Sequence, residues 1–292
     1  MIEFHADDYG LFCEESKRII DCIENGVLNG VSIMPNSPHL EACMEMLKPY
    51  KKRVALTVHL NLVEGHCLSR PQDIDLLVDK AGNFNISFGK LLLVSFLPIR
   101  AKYMAQLEKE LRRQIEAVKP FFEGEPLRLD GHVHYHQLPV VFDSIVKIME
   151  KDDLHISYIR MPRESFRNYR PIRKLSGLKA INFLKVAILN ALVARNKKKY
   201  KQILKKMDEM DFSGVLCSGN MCYENLEILL QNCGDYDGSA DRNMEILFHP
   251  GAVLEEADQK QITSKDDMAF LTDEGRMREA VALKRLKAGR TR

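Results

Sequence analysis

The sequence predicts an α/β fold, a distorted or incomplete TIM-like (β/α) barrel of about seven parallel strands. Three observations carry this. Strand-like apolar runs recur near 2–6, 30–34, 54–61, 127–133, 155–160, 214–218 and 244–249. Helix-period segments lie between most of them; Leu107, Leu111, Ile115 and Val118, for example, share one face. Several of the runs end in titratable residues, and the C-terminal strand ends are where a parallel barrel places its chemistry.

The first strand alternates Ile2, Phe4 and Ala6, then delivers Asp7 and Asp8 ahead of Gly10. Neighbouring side chains on a strand point to opposite faces, so both carboxylates reach one site only where the strand ends and twists. Taken alone, the pair also fits an exposed turn. The second strand is Val31-Ser32-Ile33-Met34-Pro35-Asn36. In the third, Leu56, Val58, Leu60 and Leu62 form an apolar back, and Thr57, His59 and Asn61 a polar front. The fourth runs Leu127-Arg128-Leu129-Asp130 into Gly131, with His132, His134 and His136 sharing the parity of Asp130 unless Gly131 bends the strand. The last ends Phe248-His249-Pro250-Gly251, where the proline favours an extended His249. Each histidine alone fits a core or surface residue; together they converge on one mouth.

A chain of 292 residues, 45% hydrophobic and with net charge +2, can bury a large core. Residues 7 and 249 must meet, so one domain over 1–292 is expected, carrying a basic helical insertion at about 162–212. The seven cysteines are scattered, without Cys-x-x-Cys spacing, and Cys217 with Cys222 is not read as a redox pair. The chain enters a strand at Ile2 without an apolar signal segment; with the cysteine usage this points to a reducing, cytoplasmic location. The longest apolar stretch, Val186 to Ala194, is far short of the ~20 residues that span a bilayer, so no membrane partner is expected, and no nucleic acid.

Between Arg160 and Lys206 stand fifteen Lys or Arg residues and one acid, Glu164. Ile181, Leu184, Ile188 and Leu192 recur there at helical spacing. The plain reading is a solvated amphipathic helix pair packed on the barrel. The others are a basic rim over the site that attracts an anionic substrate, or a surface for nucleic acid or anionic lipid.

The motifs Ala6-Asp7-Asp8-Tyr9-Gly10-Leu11, Val58-His59-Leu60-Asn61-Leu62, Asp130-Gly131-His132-Val133-His134-Tyr135-His136 and Phe248-His249-Pro250-Gly251, in this order, resemble those of the YdjC-like carbohydrate deacetylases, which include the chitooligosaccharide deacetylases. Tyr9, Gly131, Tyr135 and Phe248 depart from the usual pattern, and Gly131 and Tyr135 alter the expected sugar pocket. The resemblance implies an incomplete barrel, a divalent metal (Mg2+ or Zn2+) on Asp8, His59 and His132, Asp7 as general base and His249 as general acid.

The chemistry implied is removal of an acetyl group from an N-acetylated amino sugar or short oligosaccharide, so a small carbohydrate is the expected substrate; a homo-oligomer is left open. Asp130 is expected to orient His59 or His132, or to hydrogen-bond at a strand end. His134 and His136 could line the sugar pocket, or one could replace His132 as a ligand. Asn61 could bind a sugar hydroxyl, or hold its strand end. A metal-dependent phosphoesterase acting on an anionic substrate and a non-catalytic sugar-binding protein with a vestigial site are the rival readings.

Overall fold

A computed structural model describes residues 1–233, 243–260, 262 and 265–290. Seven parallel strands form one sheet, in the order β5-β4-β3-β2-β1-β7-β6. They are β1 (Ile2–Tyr9), β2 (Gly30–Ile33), β3 (Ala55–Leu60), β4 (Leu127–Gly131), β5 (Ile156–Ile159), β6 (Met210–Ser213) and β7 (Asn243–Phe248). The helices are α1 (Cys13–Asn25), α2 (Leu40–Leu47), α3 (Phe88–Val94), α4 (Arg100–Val118), α5 (Pro139–Asp152), α6 (Ala180–Lys199), α7 (Lys201–Leu204), α8 (Tyr223–Asn232), α9 (Glu256–Gln259), α10 (Lys265–Leu271) and α11 (Glu274–Arg290). The sheet curls into a barrel left open between β5 and β6, as the sequence predicts. Across that seam the Asp208 amide donates to the Ser157 carbonyl at 2.7 Å.

The alternation read in the strands sorts two interiors. Phe4, Ala6, Val31, Ile33, Val58, Leu129 and Ile246 are buried toward the helices and join the main apolar core. The other parity faces the barrel axis and is polar: Glu3, His5, Asp7, Ser32, His59, Asp130, Arg160 and Glu245 are all buried. Buried charge persists only when paired. Arg128 grips Glu3 at 2.9 and 2.7 Å, and His5 links Glu3 to Ser32, each at 2.7 Å. Burial opposes the charge of Glu3, but His5 and Arg128 outweigh it and hold the carboxyl at about 2. Gly30 is required here, since a Cβ would lie 2.4 Å from the His5 ring.

Two expected elements are corrected. The run Val215-Leu216-Cys217 is a buried turn, and strand β6 precedes it. Its amides are satisfied by a carboxylate instead of a strand ladder: Glu164 accepts from Gly214 at 2.6 Å and from Leu216 at 3.0 Å. Gly214, at φ +142, lies so close to β7 that a Cβ would meet Leu247 at 2.6 Å. The fourth strand stops at Gly131, and Val133 and His134 take left-handed conformations, φ 49 and 57, so the shared parity of its histidines is lost.

The basic segment also differs from the plain reading. Helix α6 does not turn Ile181 and Leu184 to the core; they are 52% and 54% exposed. Its inward face is Asn182, Val186, Leu189, Leu192, Val193 and Asn196. The amides of Asn182, Asn190 and Asn196 donate to the carbonyls of Leu216 (3.1 Å), Glu164 (2.9 Å) and Gln137 (2.9 Å). Those carbonyls follow β6, β5 and β4, so α6 lies across the C-terminal ends of three strands.

Asp143 of α5 anchors the far end of this helix. It receives Arg195 at 3.0 Å, Lys199 at 2.7 Å and the Tyr200 hydroxyl at 2.5 Å, and it also pairs with Arg100. Burial raises its pKa, but the hydrogen bonds from Arg195, Lys199 and Tyr200 outweigh burial and lower it. Its contribution is therefore present above the unfolded value of about 3.9 and is lost as pH falls through the folded value. Asp143→Asn is expected to cost about 2 kcal/mol at neutral pH. Denaturant melts in acid should show the difference from wild type closing; a constant difference would assign the loss to packing.

Candidate active site

At the C-terminal mouth, β1 ends in a bulge between Ala6 and Tyr9, and Asp8 takes φ 68. This left-handed residue resolves the problem of two adjacent carboxylates: Asp7 keeps the axial direction of its strand, and the turn at Asp8 brings the second carboxylate to the same site. Such strain in a non-glycine residue costs on the order of 1–3 kcal/mol and clusters at functional sites.

Asp8, His59 and His132 each offer a ligand atom, all lying within 4.8 Å of one another. His59 Nε2 is 3.5 Å from Asp8 Oδ1, and His132 Nδ1 is 2.9 Å from the same oxygen. On its other side, His132 Nε2 faces Glu64 at 3.2 Å. The rings of His59 and His132 meet edge to face at 5.4 Å. His59 Nε2 and Asp8 Oδ2 are buried without a hydrogen-bond partner. Two buried ligand atoms without a hydrogen bond, beside a second imidazole, form a donor set that fits a divalent cation of the zinc or magnesium kind.

The surroundings fix these groups. The nitrogen of His59 remote from Asp8, Nδ1, hydrogen-bonds Asp130 Oδ1 at 2.7 Å. An outer carboxylate of this kind sets the tautomer and leaves Nε2 to ligate. Burial opposes protonation of His59, but Asp130 and Asp7 raise its pKa to about 9. The electrostatics at the mouth therefore favour a cation. Arg160, fully buried, binds Asp7 through two nitrogens at 2.8 and 2.9 Å, Asp130 at 2.7 Å and Glu245 at 2.5 Å. Asp7, although buried, is kept below the usual carboxylate range, chiefly by Arg160 and then His59.

His249 follows β7. Its amide donates to Glu279 at 2.5 Å, its ring meets Phe270 at 5.3 Å, and its Nδ1 is buried without a partner. Helix α11 supplies Glu279 and also Arg276, whose guanidinium lies 3.5 Å from Asp8 Oδ2 and pairs with Glu15.

The remaining expected residues are all buried and turned to internal partners. Asn61 donates to Asn36 Oδ1 at 2.9 Å and to the Glu64 carbonyl at 2.7 Å, and accepts from the Val63 amide at 2.9 Å, so it ties the loop after β3. Asp130 is shared by His59, Ser32 and Arg160. His136 Nε2 donates to the Arg160 carbonyl at 2.9 Å, and burial lowers its pKa to about 4. His134 packs edge to face on Phe212 at 5.9 Å, with Nδ1 unpartnered.

Sequence reasoning missed Arg160, Glu64, Arg276 and Glu279. Arg160 was discoverable, since it follows the apolar run 156–159 as Asp7 and Asp8 end theirs. Arg276 and Glu279 sit on a helix late in the chain, with no local signal.

The open parallel barrel thus gathers two histidines and paired carboxylates at one mouth, held by a buried arginine. The chain belongs to the YdjC-like protein family, whose model matches residues 1–285. Among its relatives, a carbohydrate deacetylase of Danio rerio is 28% identical over 77% of this chain and 68% of that protein. One of Thermoanaerobacter pseudethanolicus is 27% identical over 55% of this chain and 61% of its own length. A crystal structure of a candidate cellobiose-phosphate cleavage protein from Enterococcus faecalis shares the fold, with TM-score 0.64, 19% identity and coverage of 99% and 92%.

Proposed function

We propose that this protein is a metal-dependent carbohydrate deacetylase that hydrolyses the N-acetyl group of an amino sugar or short oligosaccharide. The observation that carries this reading is the Asp8–His59–His132 cluster, two of whose buried ligand atoms make no hydrogen bond, set beside an arginine-tethered Asp7. The names of the relatives, all carbohydrate deacetylases, support the substrate class. The seven cysteines are unpaired, which supports the cytoplasmic location.

Asp8, His59 and His132 would hold the cation, which when bound acidifies a water and polarises the acetyl carbonyl. Asp7, ionised and aimed by Arg160, accepts the proton of the attacking water. A carboxylate kept below its usual range is a base here, not an acid. His249 donates a proton to the leaving nitrogen through its free ring nitrogen, its backbone fixed by Glu279. Asp130 orients His59. Of the other residues expected at the sugar, His134 keeps an unpartnered nitrogen for a hydroxyl, while Asn61 and His136 support the walls.

The test is acetate release from N-acetylated mono- and disaccharides, chitobiose included, with chelator and after metal add-back. Metal-dependent release is the expected result; none from any sugar, despite bound metal, would move the assignment to a phosphoester substrate or a non-catalytic role. In the same protein, His132→Ala should weaken zinc binding by more than the ~10–100-fold that loss of an outer-shell partner costs. His134→Ala should leave it near wild type in equilibrium dialysis. The reverse order would place the ligand two residues further along, at His134.

A further inference from the structure

Helix α6 is apolar on both faces. Its stretch 180–194 carries a single charge, Lys185, and Ala180, Ile181, Leu184, Ala187, Ala191 and Ala194 all face solvent. A helix apolar all round is normally covered on every side. This one is covered on one side only, by the strand ends that its three asparagines grip. A second apolar knuckle stands at the same rim, where Leu93, Phe96, Leu97 and Ile99 are 61%, 74%, 41% and 41% exposed. The Ser95 hydroxyl accepts from the Val140 amide at the start of α5, and Arg100 shares Asp143 with Arg195 of α6, so the knuckle and the helix adjoin.

The same segment is rich in exposed cations. Arg163, Arg167, Arg170, Arg173, Lys174 and Lys185 are exposed and make no ion pair among the described residues. The one acid of the segment, Glu164, is buried and already bonded to Gly214, Leu216 and Tyr169. The surface lies at the mouth: Lys179, just before α6, reaches Asp273 at 3.4 Å, three residues from the Arg276 that approaches Asp8.

We propose that this rim docks on an anionic lipid bilayer, with Phe96, Ile181 and Leu184 entering the interface and the basic residues meeting its headgroups. Charge complementarity selects this occupant. Apposing the same face of a second copy would set one strongly basic segment against another. No helix of the described residues is long and apolar enough to cross a membrane, so the contact is peripheral. Each basic residue near such a surface contributes about 1 kcal/mol.

The chain contains no tryptophan, so Phe96→Trp and Leu184→Trp give site-specific reporters in the full-length protein. Vesicles of phosphatidylcholine alone are compared with an equal mixture of phosphatidylcholine and phosphatidylglycerol. Co-sedimentation should be at least about tenfold stronger with the anionic vesicles and fall with salt. Both reporters should shift to the blue on anionic vesicles only. Substituting Ile181→Gln and Leu184→Gln together should weaken binding about tenfold and change the thermal midpoint by only a few degrees, because both side chains are half exposed and glutamine is a good helix former. Equal or absent binding to the two vesicle types would overturn the proposal. So would binding to an oligonucleotide that matches the vesicle affinity and ignores the apolar substitutions, or a dimer in sedimentation that the same substitutions dissolve.

Discussion

Arg160→Met is expected to destabilise the protein by about 3–5 kcal/mol, a large share of the roughly 5–15 kcal/mol that holds a typical native protein together. The guanidinium is fully buried and is shared by three carboxylates, those of Asp7, Asp130 and Glu245. Its removal leaves three buried carboxylates without the cation they share, with one aromatic contact, Phe212, vacated as well. The size of the loss comes from those stranded charges and not from the net worth of the ion pairs. Arg160→Lys discriminates the two: it restores one positive charge but cannot bridge three partners, so it should recover part of the stability and little of the alignment of Asp7. Equilibrium denaturation of both variants is the measurement. A loss below about 1 kcal/mol for the methionine variant would mean that the carboxylates rehydrate through the open seam.

The second large effect is catalytic. Asp7→Asn should lower turnover by about 10²–10⁴-fold while zinc or magnesium affinity stays near wild type. The amide keeps the shape of the side chain and can still meet Arg160, but it cannot take a proton. Isothermal titration with the metal, run beside acetate release, separates the roles of the two aspartates. Loss of metal binding in this variant would exchange Asp7 with Asp8.

Much of this architecture was legible in the sequence because a barrel with a polar axis writes its pattern openly. Ile2, Phe4 and Ala6 against Glu3, His5 and Asp7 state both faces of one strand, and the third strand does the same. The sixth strand was hidden because Val215-Leu216-Cys217 is more apolar than the true strand, Met210-Asp211-Phe212-Ser213. Burial made that turn apolar, and the carboxylate that satisfies its amides lies fifty residues earlier, at Glu164. The ring of partners around the site was hidden for a related reason. Arg160, Arg276 and Glu279 earn their positions only through contacts between distant elements, which no local period records. In α6, the helical spacing of Ile181 and Leu184 was read correctly and its direction was not, because the buried face of that helix is marked by asparagines.

The sheet order has a consequence for how the chain is made. Strand β1 pairs with β2 on one side and with β7 on the other. On the ribosome the first edge is covered almost at once, but the second stays bare until residues near 243–248 emerge. At roughly 5–20 residues per second that interval is on the order of tens of seconds. Throughout it, the nascent chain displays an open strand edge beside a half-built charged axis, the kind of surface that pairs with another chain. The hazard closes only when β7 slots in beside β1, so a strand made late shields one made early.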